Sequence, residues 1–455
     1  MVKKIHFISI GGSVMHQLAI ALHKKGYLVT GSDDEIFEPA KSNLQSNNIL
    51  PAAIGWNPNN ITPDLYAVIL GMHAKDDNPE LIKAKALGLN IYSFPEYIYK
   101  ESKDKTRIVV GGSHGKTTTT SMIMHVLQQC HLAFDYMVGA KLEGFAQSVD
   151  ITDAPLIVCE GDEYPASALE KRPKFHFLFP QVAILTGIAW DHINVFPTYE
   201  FYKEQFTIFI GMIEKGGTLI YNETDSELAS LVASCKREDI KYITYGVPQH
   251  TITDGITTVT IDGVTTVLKV FGDHNLLNLY AAYHACASQG ITATDFLKAI
   301  ADFTGASLRL EKIAGNKDTI VYRDFAHAPS KLKATLNAVR NQYPERNIVA
   351  VFELHTYSSL SAAFLSEYEG SMNDADKAVV FYSNHALAIK RLKPLLIEEV
   401  KTHFKRADLE VINDRTILEN WLNKLDLKNT VLLFMSSGNY DGIDVRTFAD
   451  QLLNK

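Results

Sequence analysis

The chain has little cysteine and no long hydrophobic run. Only four of its 455 residues are cysteines, and they stand far apart at Cys130, Cys159, Cys235 and Cys286. Such usage favours reduced thiols in a cytosolic protein over a disulfide framework. No stretch of about 18 consecutive apolar residues occurs, so no membrane span is expected, and the N-terminus carries no long apolar signal region. We therefore expect a cytoplasmic protein.

The sequence also lacks an excess of positive charge. It carries 44 Lys and Arg against 52 Asp and Glu, a net charge of −8. This balance gives no support to a nucleic-acid partner, because binding a phosphate backbone requires a basic surface. The hydrophobic content of 46% and the charged content of 21% are ordinary for folded domains. A chain of this length is expected to form about three domains.

Predicted strands and helices alternate along most of the chain, which indicates an α/β fold with parallel sheets. Residues 1–104 are predicted to form a Rossmann-like domain, with the charged stretch 100–105 as the linker that follows. Residues 105–311 are predicted to form a central P-loop domain, in which the β-rich residues 240–271 indicate a small β insertion. Residues 312–455 are predicted to form a second Rossmann-like domain.

The most specific motif is a glycine-rich turn between an apolar strand and a helix. Residues 109–118 spell Val-Val-Gly-Gly-Ser-His-Gly-Lys-Thr-Thr. Glycines let backbone N–H groups approach phosphates, the lysine supplies a charge, and a threonine hydroxyl can ligate Mg²⁺, so the turn predicts a nucleotide triphosphate site. The full Walker spacing would place a glycine at Val110, which makes this loop a variant. The predicted phosphate-binding residues are Gly112, Ser113, His114, Gly115, Lys116, Thr117 and Thr118.

Acidic residues follow two predicted strands of the same domain. Glu160 and Glu163 come after one strand, and Asp191 and His192 come after the next. Open parallel sheets bind ligands at the carboxyl ends of their strands, so Glu160 and Glu163 are candidate Mg²⁺ ligands. Taken alone, a solvated acidic loop or a hydrogen-bonded Asp–His pair would explain these residues as well.

Further candidates lie at a predicted helix start and around a domain junction. Asn275 and Asn278 are three residues apart, so both amides lie on one helix face and could contact a base or a ribose. A plain N-cap is the competing interpretation. Arg309 and Asp324 flank the junction and suit a nucleotide held on domain closure, although ordinary surface charges would give the same pattern.

Near the N-terminus, Gly11, Gly12 and Ser13 form a partial dinucleotide fingerprint. They suit a diphosphate above a helix N-terminus, with Asp33 about 20 residues later near a ribose. A NAD-binding oxidoreductase is disfavoured by the incomplete glycine pattern. A nucleotide-hydrolysing switch protein explains the P-loop but leaves the two flanking α/β domains unexplained.

In this order, the motifs resemble those of the Mur ligases of bacterial cell-wall synthesis over almost the whole chain. Residues 112–119 are similar to the family's G-T-x-G-K-T loop, which also lacks the first Walker glycine. Residues 160–163 look like an E-A-D-E segment in which Gly161 replaces alanine. His114, with a Rossmann-like opening domain, points to the branch that contains the UDP-N-acetylmuramate–L-alanine ligases and the murein peptide ligases.

Within this branch the motifs point in two directions. Residues 170–175 and 324–327 are closer to the murein peptide ligases, which implies the acceptor L-Ala-γ-D-Glu-meso-diaminopimelate. Residues 355–358, His-Thr-Tyr-Ser, are closer to the alanine ligases, so free L-alanine is the alternative acceptor. We expect the tripeptide.

The resemblance implies an ATP-dependent ligase that joins UDP-N-acetylmuramate to an amine through an acyl phosphate. By this resemblance Lys116 stabilises the ATP phosphates, Thr117 and Glu160 hold one Mg²⁺, and His192 helps to hold a second. The other implied roles are ATP binding by Asn275, Asn278, Arg309 and Asp324, UDP-sugar binding by Gly11, Gly12, Ser13 and Asp33, and acceptor contacts by His327 and His355.

Overall fold

A computed structural model of the chain describes residues 2–72, 74–140, 142, 144–190, 195–305 and 310–454. Its strands are β1 (Lys4–Ile8), β2 (Leu28–Ser32), β3 (Ala67–Leu70), β4 (Ile91–Ser93), β5 (Thr106–Gly111), β6 (Asp135–Met137), β7 (Val149–Asp150), β8 (Leu156–Glu160), β9 (Val182–Leu185), β10 (Thr218–Asn222), β11 (Lys241–Tyr245), β12 (Gln249–Thr253), β13 (Ile256–Ile261), β14 (Val264–Leu268), β15 (Glu311–Gly315), β16 (Thr319–Asp324), β17 (Asn347–Leu354), β18 (Lys377–Tyr382), β19 (Glu410–Ile412) and β20 (Thr430–Met435).

The α-helices alternate with these strands over most of the described chain, as the sequence predicts, with exceptions that include β6 to β9 and β11 to β14. They are α1 (Ser13–Lys24), α2 (Ala40–Ser46), α3 (Pro79–Ala86), α4 (Phe94–Ser102), α5 (Lys116–Gln129), α6 (Tyr199–Gly211), α7 (Ser226–Ser234), α8 (Asp273–Ala287), α9 (Ala293–Ile300), α10 (Pro329–Gln342), α11 (Asn384–Ile389), α12 (Ile397–Phe404), α13 (Arg415–Asn423) and α14 (Val445–Leu453). The predicted α/β class is confirmed. None of the described helices combines the length and hydrophobicity of a membrane span.

The N-terminal sheet has the strand order β2-β1-β3-β4 and is parallel throughout. Its central strands β1 and β3 are almost continuously apolar and buried, as expected when helices cover both faces of a parallel sheet. Gly11 follows β1 and Asp33 follows the neighbouring β2. The sheet therefore brings these two sequence-predicted residues to one edge.

The central sheet has the order β11-β10-β9-β5-β8-β6-β7 and is parallel except for the β6–β7 pair. The P-loop follows β5, and the neighbouring strand β8 ends at Glu160. Strand β9 lies on the other side of β5. Because all three strands run parallel, the P-loop and the first acidic residue lie at the same carboxyl edge.

The predicted linker at 100–105 is wrong in its first half. Helix α4 continues to Ser102, because a capping box of Ser93 and Glu96 starts it and its apolar face is buried. The side chain of Arg107, only 2% exposed, lies beneath the remaining turn. Its guanidinium donates hydrogen bonds to the backbone carbonyls of Ser102, Lys103, Lys105, Leu178 and Phe179.

The chain divides into two compact units, Met1–Pro248 with Leu277–Ile300 and Gln249–Leu276 with Ala301–Lys455. The second contains a six-stranded sheet of order β15-β16-β20-β17-β18-β19, parallel except for β15–β16. It also contains the antiparallel sheet β12-β13-β14, for which the sequence predicted only a hairpin. Strand β12 is mostly exposed and carries no buried apolar alternation, so the pattern missed it. The domain boundaries at 104 and 311 stay a prediction.

Candidate active site

Two glycines shape the loop between β5 and α5. Gly112 has φ = +127° and Gly115 has φ = +81°, backbone conformations that L-residues rarely adopt. A Cβ atom on Gly112 would lie 2.2 Å from Thr186 Oγ1, and one on Gly115 would lie 2.2 Å from Asn278 Oδ1. Gly115 caps α5 without a side chain, so the first N–H groups of the helix point at the loop. The loop therefore has the form of an anion-binding turn.

Neighbouring backbone groups hold the loop from behind. The N–H of Ser113 donates to Gly187 O at 2.8 Å, and the Thr186 hydroxyl donates to His114 O. The His114 ring lies with Nδ1 2.7 Å from Ser113 O, and Thr118 is buried in the first turn of α5. These contacts hold the backbone of the loop in place.

Val110 explains why the first Walker glycine is missing. It is fully buried inside β5, where it pairs with Glu160 on one side and Ile184 on the other. The turn begins two residues later, at Gly112. A glycine at this point would weaken the central strand and would add nothing to the turn.

Lys116 pairs with Glu163 at the start of α5. Its Nζ donates to Glu163 Oε2 at 2.8 Å and to Gly112 O at 2.6 Å. Burial opposes the charge on Lys116, but the facing Glu163, with Asp162 and Glu160, outweighs burial and raises the pKa of the ammonium. Lys116 is therefore a charged group held at the base of the loop.

Thr117 pairs with the other acid. Its Oγ1 donates to Glu160 Oε1 at 2.7 Å, and the N–H of Gly139 donates to Glu160 Oε2 at 2.8 Å. A hydroxyl and a carboxylate are oxygen donors of the kind that Mg²⁺ prefers. No cluster of three or more His, Cys, Asp or Glu side chains forms a metal site in the described part of the chain. The donor chemistry of the Thr117–Glu160 pair fits Mg²⁺.

Gly161 separates the two acidic residues where the related segment has alanine. A Cβ at this position would lie 3.0 Å from Val109 Cγ1, 3.2 Å from Phe175 Cβ and 3.2 Å from Val110 O. These are tight contacts with a packed strand. The glycine therefore accommodates the close packing of Phe175 against β5 and β8.

The two asparagines of α8 have different surroundings. In the first unit, Asn278 Oδ1 accepts a hydrogen bond from Thr119 Oγ1 at 3.2 Å and packs against Gly115, so this amide adjoins the P-loop. In the second unit, Asn275 Nδ2 donates to Phe271 O at 2.9 Å, a bond within its own turn. Helix α8 begins at Asp273, so Asn275 lies inside its first turn and not at the N-cap position.

At the N-terminal sheet, Asp33 organises the glycine turn. Its Oδ2 accepts from the N–H of Gly11 at 2.7 Å, and its Oδ1 accepts from the N–H of Asp34 at 3.0 Å. Burial raises the pKa of Asp33 to about 6, although the Gly11 hydrogen bond opposes the shift. Gly12 caps α1, which begins at Ser13. A cavity of about 270 Å³ opens nearby and is lined by Glu35, Ile36, Lys41, Leu50, Pro51, Ala52, Ala53 and Ile54.

In the second unit, Asp324 ends β16 and ties together three elements. Its Oδ1 accepts from the N–H of Leu310 at 2.9 Å, and its Oδ2 accepts from Thr335 Oγ1 at 2.5 Å. His327 follows, with Nδ1 2.8 Å from Phe325 O. Asp324 therefore anchors the backbone immediately after Arg309. Arg309 itself, like Asp191 and His192, lies outside the described residues.

Sequence reasoning missed Glu353, which is buried beside His355. Its Oε2 accepts from Ser436 Oγ and from the N–H of Tyr440, the latter at 3.0 Å, and its Oε1 lies 3.6 Å from His355 Nδ1. A Cβ on Gly438 would lie only 2.4 Å from His355 Nδ1. The available signal was that Glu353 is the single acid in the apolar strand β17.

Three family models match consecutive parts of the chain. They are the Mur ligase family catalytic domain over residues 4–106, the Mur ligase middle domain over 110–286 and the Mur ligase glutamate ligase domain over 308–438. The resemblance inferred from the motifs is confirmed.

Named relatives and solved structures agree with the family models. The UDP-N-acetylmuramate–L-alanine ligase of Aquifex aeolicus strain VF5 is 31% identical over 392 residues, 83% of each chain. The structure of UDP-N-acetylmuramate–alanine ligase from Thermotoga maritima aligns with a TM-score of 0.68 at 21% identity, covering 99% of this chain and 98% of that one. A murein peptide ligase from Psychrobacter arcticus aligns at 0.61 with the same identity and coverage. The chain belongs to the Mur ligase family and is an ATP-dependent amide-bond ligase.

Proposed function

We propose that the chain joins L-alanine to UDP-N-acetylmuramate. The observation that carries the proposal is the similarity of most of the chain to relatives named UDP-N-acetylmuramate–L-alanine ligase. The His-Thr-Tyr-Ser segment at 355–358 supports the same acceptor. This choice reverses the acceptor favoured from the motifs alone.

The L-Ala-γ-D-Glu-meso-diaminopimelate tripeptide is the second candidate acceptor, and two segments, residues 170–175 and 324–327, favour it. Residues 170–175 are similar to murein peptide ligases and pack beside the acidic turn after β8. Lys174 Nζ donates to Asp162 Oδ2 at 2.6 Å, and Arg172 Nη2 donates to Glu170 Oε2 at 2.7 Å. The segment therefore lies close to the proposed nucleotide site. At that position its residues could contribute to the choice between the two acceptors.

The reaction requires activation of the muramoyl carboxylate. A carboxylate oxygen attacks the γ-phosphorus of ATP, which releases ADP and leaves an acyl phosphate. The acceptor amine then attacks the acyl carbon, and collapse of the tetrahedral intermediate expels phosphate and leaves the amide. The protein contributes positioning and charge neutralisation in such a reaction.

The P-loop residues 112–118 are proposed to bind the ATP phosphates, with Lys116 placing its ammonium at the β- and γ-phosphates. Thr117 and Glu160 are proposed to hold Mg²⁺, which when bound neutralises phosphate charge. Asn278 lies where it can contact the nucleotide. For His192, Arg309 and Asn275 the roles remain those implied by the resemblance.

The UDP-sugar is proposed to bind over Gly11–Ser13, where the N-terminus of α1 favours the diphosphate. Asp33 holds this turn, and the cavity lined by Glu35 and Ile36 offers space beside it. In the second unit, His327 and His355 are proposed to face the acceptor. Glu353 lies beside His355, with its Oε1 3.6 Å from His355 Nδ1.

Phosphate release with ATP and UDP-N-acetylmuramate tests the acceptor directly. We expect L-alanine to give a kcat/KM at least about tenfold above that of the tripeptide, a difference of about 1.4 kcal/mol in transition-state binding. The reverse ranking would establish the tripeptide. Phosphate release that needs no amine at all would instead favour a nucleotide-hydrolysing switch protein.

The substitution Lys116→Ala tests the P-loop assignment. We expect it to abolish ligation, because the substitution removes the ammonium at the start of α5 that is proposed to bind the ATP phosphates. Calorimetric titration should show UDP-N-acetylmuramate binding largely unchanged, since the sugar site lies on another sheet. Lys203→Ala, which removes a half-buried lysine paired with Glu227 on the same domain, is the matched control and should retain activity.

A further inference from the structure

We propose that Glu163 is a positioning residue that holds the ammonium of Lys116 for phosphoryl transfer and is not a ligand of the metal. The inference rests on the proposed nucleotide-binding role of residues 112–118. It concerns the second of two acids, to which the resemblance assigned no role.

The contacts of Glu163 are those of a side chain that serves Lys116. One oxygen, Oε2, accepts from Lys116 Nζ at 2.8 Å. The other, Oε1, accepts from the Tyr202 hydroxyl at 3.4 Å. Tyr202 is itself fully buried among Phe196 and Phe206, so its hydroxyl is a fixed donor. Tyr202 thus holds Oε1 of Glu163 in place while Oε2 accepts the hydrogen bond of the Lys116 ammonium.

Burial separates Glu163 from Glu160. Glu163 is 0% exposed, and both of its oxygens face protein donors. Glu160 is only half-buried and lies against Thr117 and Gly139. An ion that keeps water and phosphate ligands needs an accessible carboxylate, which Glu160 offers and Glu163 does not.

The pairing also accounts for the charge at the base of the loop. Lys116 Nζ is mostly buried, with 13% of the side chain exposed, and a buried ammonium needs a compensating carboxylate when no phosphate is near. Gly112 O supplies a second acceptor, which fixes the direction of the side chain. When phosphates arrive, Lys116 then needs only a small displacement and little loss of side-chain freedom.

The substitution Glu163→Gln tests this role by removing the charge while keeping the shape. ATP-dependent phosphate release, with UDP-N-acetylmuramate and the better amine, would give kcat, the KM for ATP and the Mg²⁺ concentration for half-maximal rate. We expect kcat to fall at least about tenfold with the KM for ATP changed by less than about threefold, because the lost orientation matters most in the transition state. The half-maximal Mg²⁺ concentration should stay within about twofold of the wild-type value.

Two further variants complete the design. Glu163→Asp keeps the charge on a shorter side chain and should give a kcat between those of Glu163→Gln and the wild type. If Glu163 only filled space, Glu163→Gln would have the higher kcat of the two variants. Glu227→Gln removes an exposed carboxylate of the same domain and should leave every parameter unchanged. UDP-N-acetylmuramate binding confirms that each variant is folded.

Several results would overturn the inference. They are an unchanged kcat in Glu163→Gln, a raised KM for ATP with unchanged kcat, or a strongly raised Mg²⁺ requirement, which would make Glu163 a metal ligand. Should Glu163→Gln fail to fold, Tyr202→Phe decides: a fall of about two- to threefold in kcat at constant KM supports the role, and an unchanged kcat refutes it. Wild-type ligation tests the proposed function separately, since only variant-to-wild-type ratios bear on Glu163.

Discussion

Buried carboxylates organise both of the turns in the first unit that are proposed to bind ligands. Asp33 accepts the N–H of Gly11 beside the N-terminal sheet, and Glu163 accepts the ammonium of Lys116 beside the P-loop. In each case the carboxylate has little or no exposure and holds a group of the glycine turn or of the residue that follows it. The turns are therefore set before a ligand binds, which limits the entropy lost on binding.

The substitution Asp33→Asn should change how stability depends on pH. Burial raises the pKa of Asp33 from 3.8 to about 6, so the folded chain holds this proton more tightly than the unfolded chain does. The resulting stabilisation is fully present below the unfolded pKa and is lost as pH rises through the folded pKa. Thermal melting of wild type and variant should show the wild type losing stability relative to Asp33→Asn between pH 4 and pH 7. A constant difference across this window would contradict the prediction.

At the scale of elements, the short connection between α4 and β5 depends on one side chain. Arg107 satisfies several carbonyls that end α4 and flank β5, including those of Ser102 and Leu178. Its guanidinium also stacks on Tyr99, 5.1 Å from the ring centroid. Because one buried guanidinium donates to these carbonyls, the connection can be short and no longer, more flexible linker is needed.

Replacement of Arg107 by methionine should therefore destabilise the first unit. The variant leaves buried carbonyls without donors, for which we expect a loss of roughly 3 kcal/mol in the free energy of unfolding. Denaturant unfolding would measure it. Arg172→Met is the matched control, because Arg172 is 56% exposed, pairs with its neighbour Glu170 and lies over the Phe177 ring, so a loss within about 1 kcal/mol is expected. Equal losses in the two variants would argue against the structural role of Arg107.

At the scale of the whole molecule, each compact unit has its own core. Leu18 on α1 belongs to the core of the first unit, and Leu432 on β20 belongs to that of the second; both are 0% exposed. A chain with separate cores is not expected to unfold as one cooperative system.

Calorimetry should consequently resolve more than one unfolding transition. Leu18→Ala and Leu432→Ala each create a cavity that lowers the free energy of unfolding by about 2–5 kcal/mol. Each should lower the melting temperature of a different transition. UDP-N-acetylmuramate, which is proposed to bind the first unit, should raise the transition that Leu18→Ala lowers. A single transition lowered equally by both variants would show that the two units unfold together.

Local sequence signals were sufficient for most of the architecture. Strands such as β3 and β20 are short apolar runs bounded by turns, and their burial follows directly from that composition. The P-loop was equally clear, because Gly112 and Gly115 meet a backbone requirement that no other residue satisfies. Strand β12 and the true end of α4 were missed, since the first is exposed and the second depends on capping and on Arg107.

The sequence by itself determined the α/β class, the nucleotide loop and the family, because each rests on short-range patterns of hydrophobicity and glycine. The resemblance already associated Glu160 with Thr117, and only the tertiary structure showed that Glu163 meets Lys116. It also separated Asn278, which adjoins the loop, from Asn275, which bonds within its own turn, and it brought Glu353 to His355. Such assignments depend on which side chains meet across neighbouring strands and helices, and on how deeply each charge is buried, which spacing along the chain does not specify.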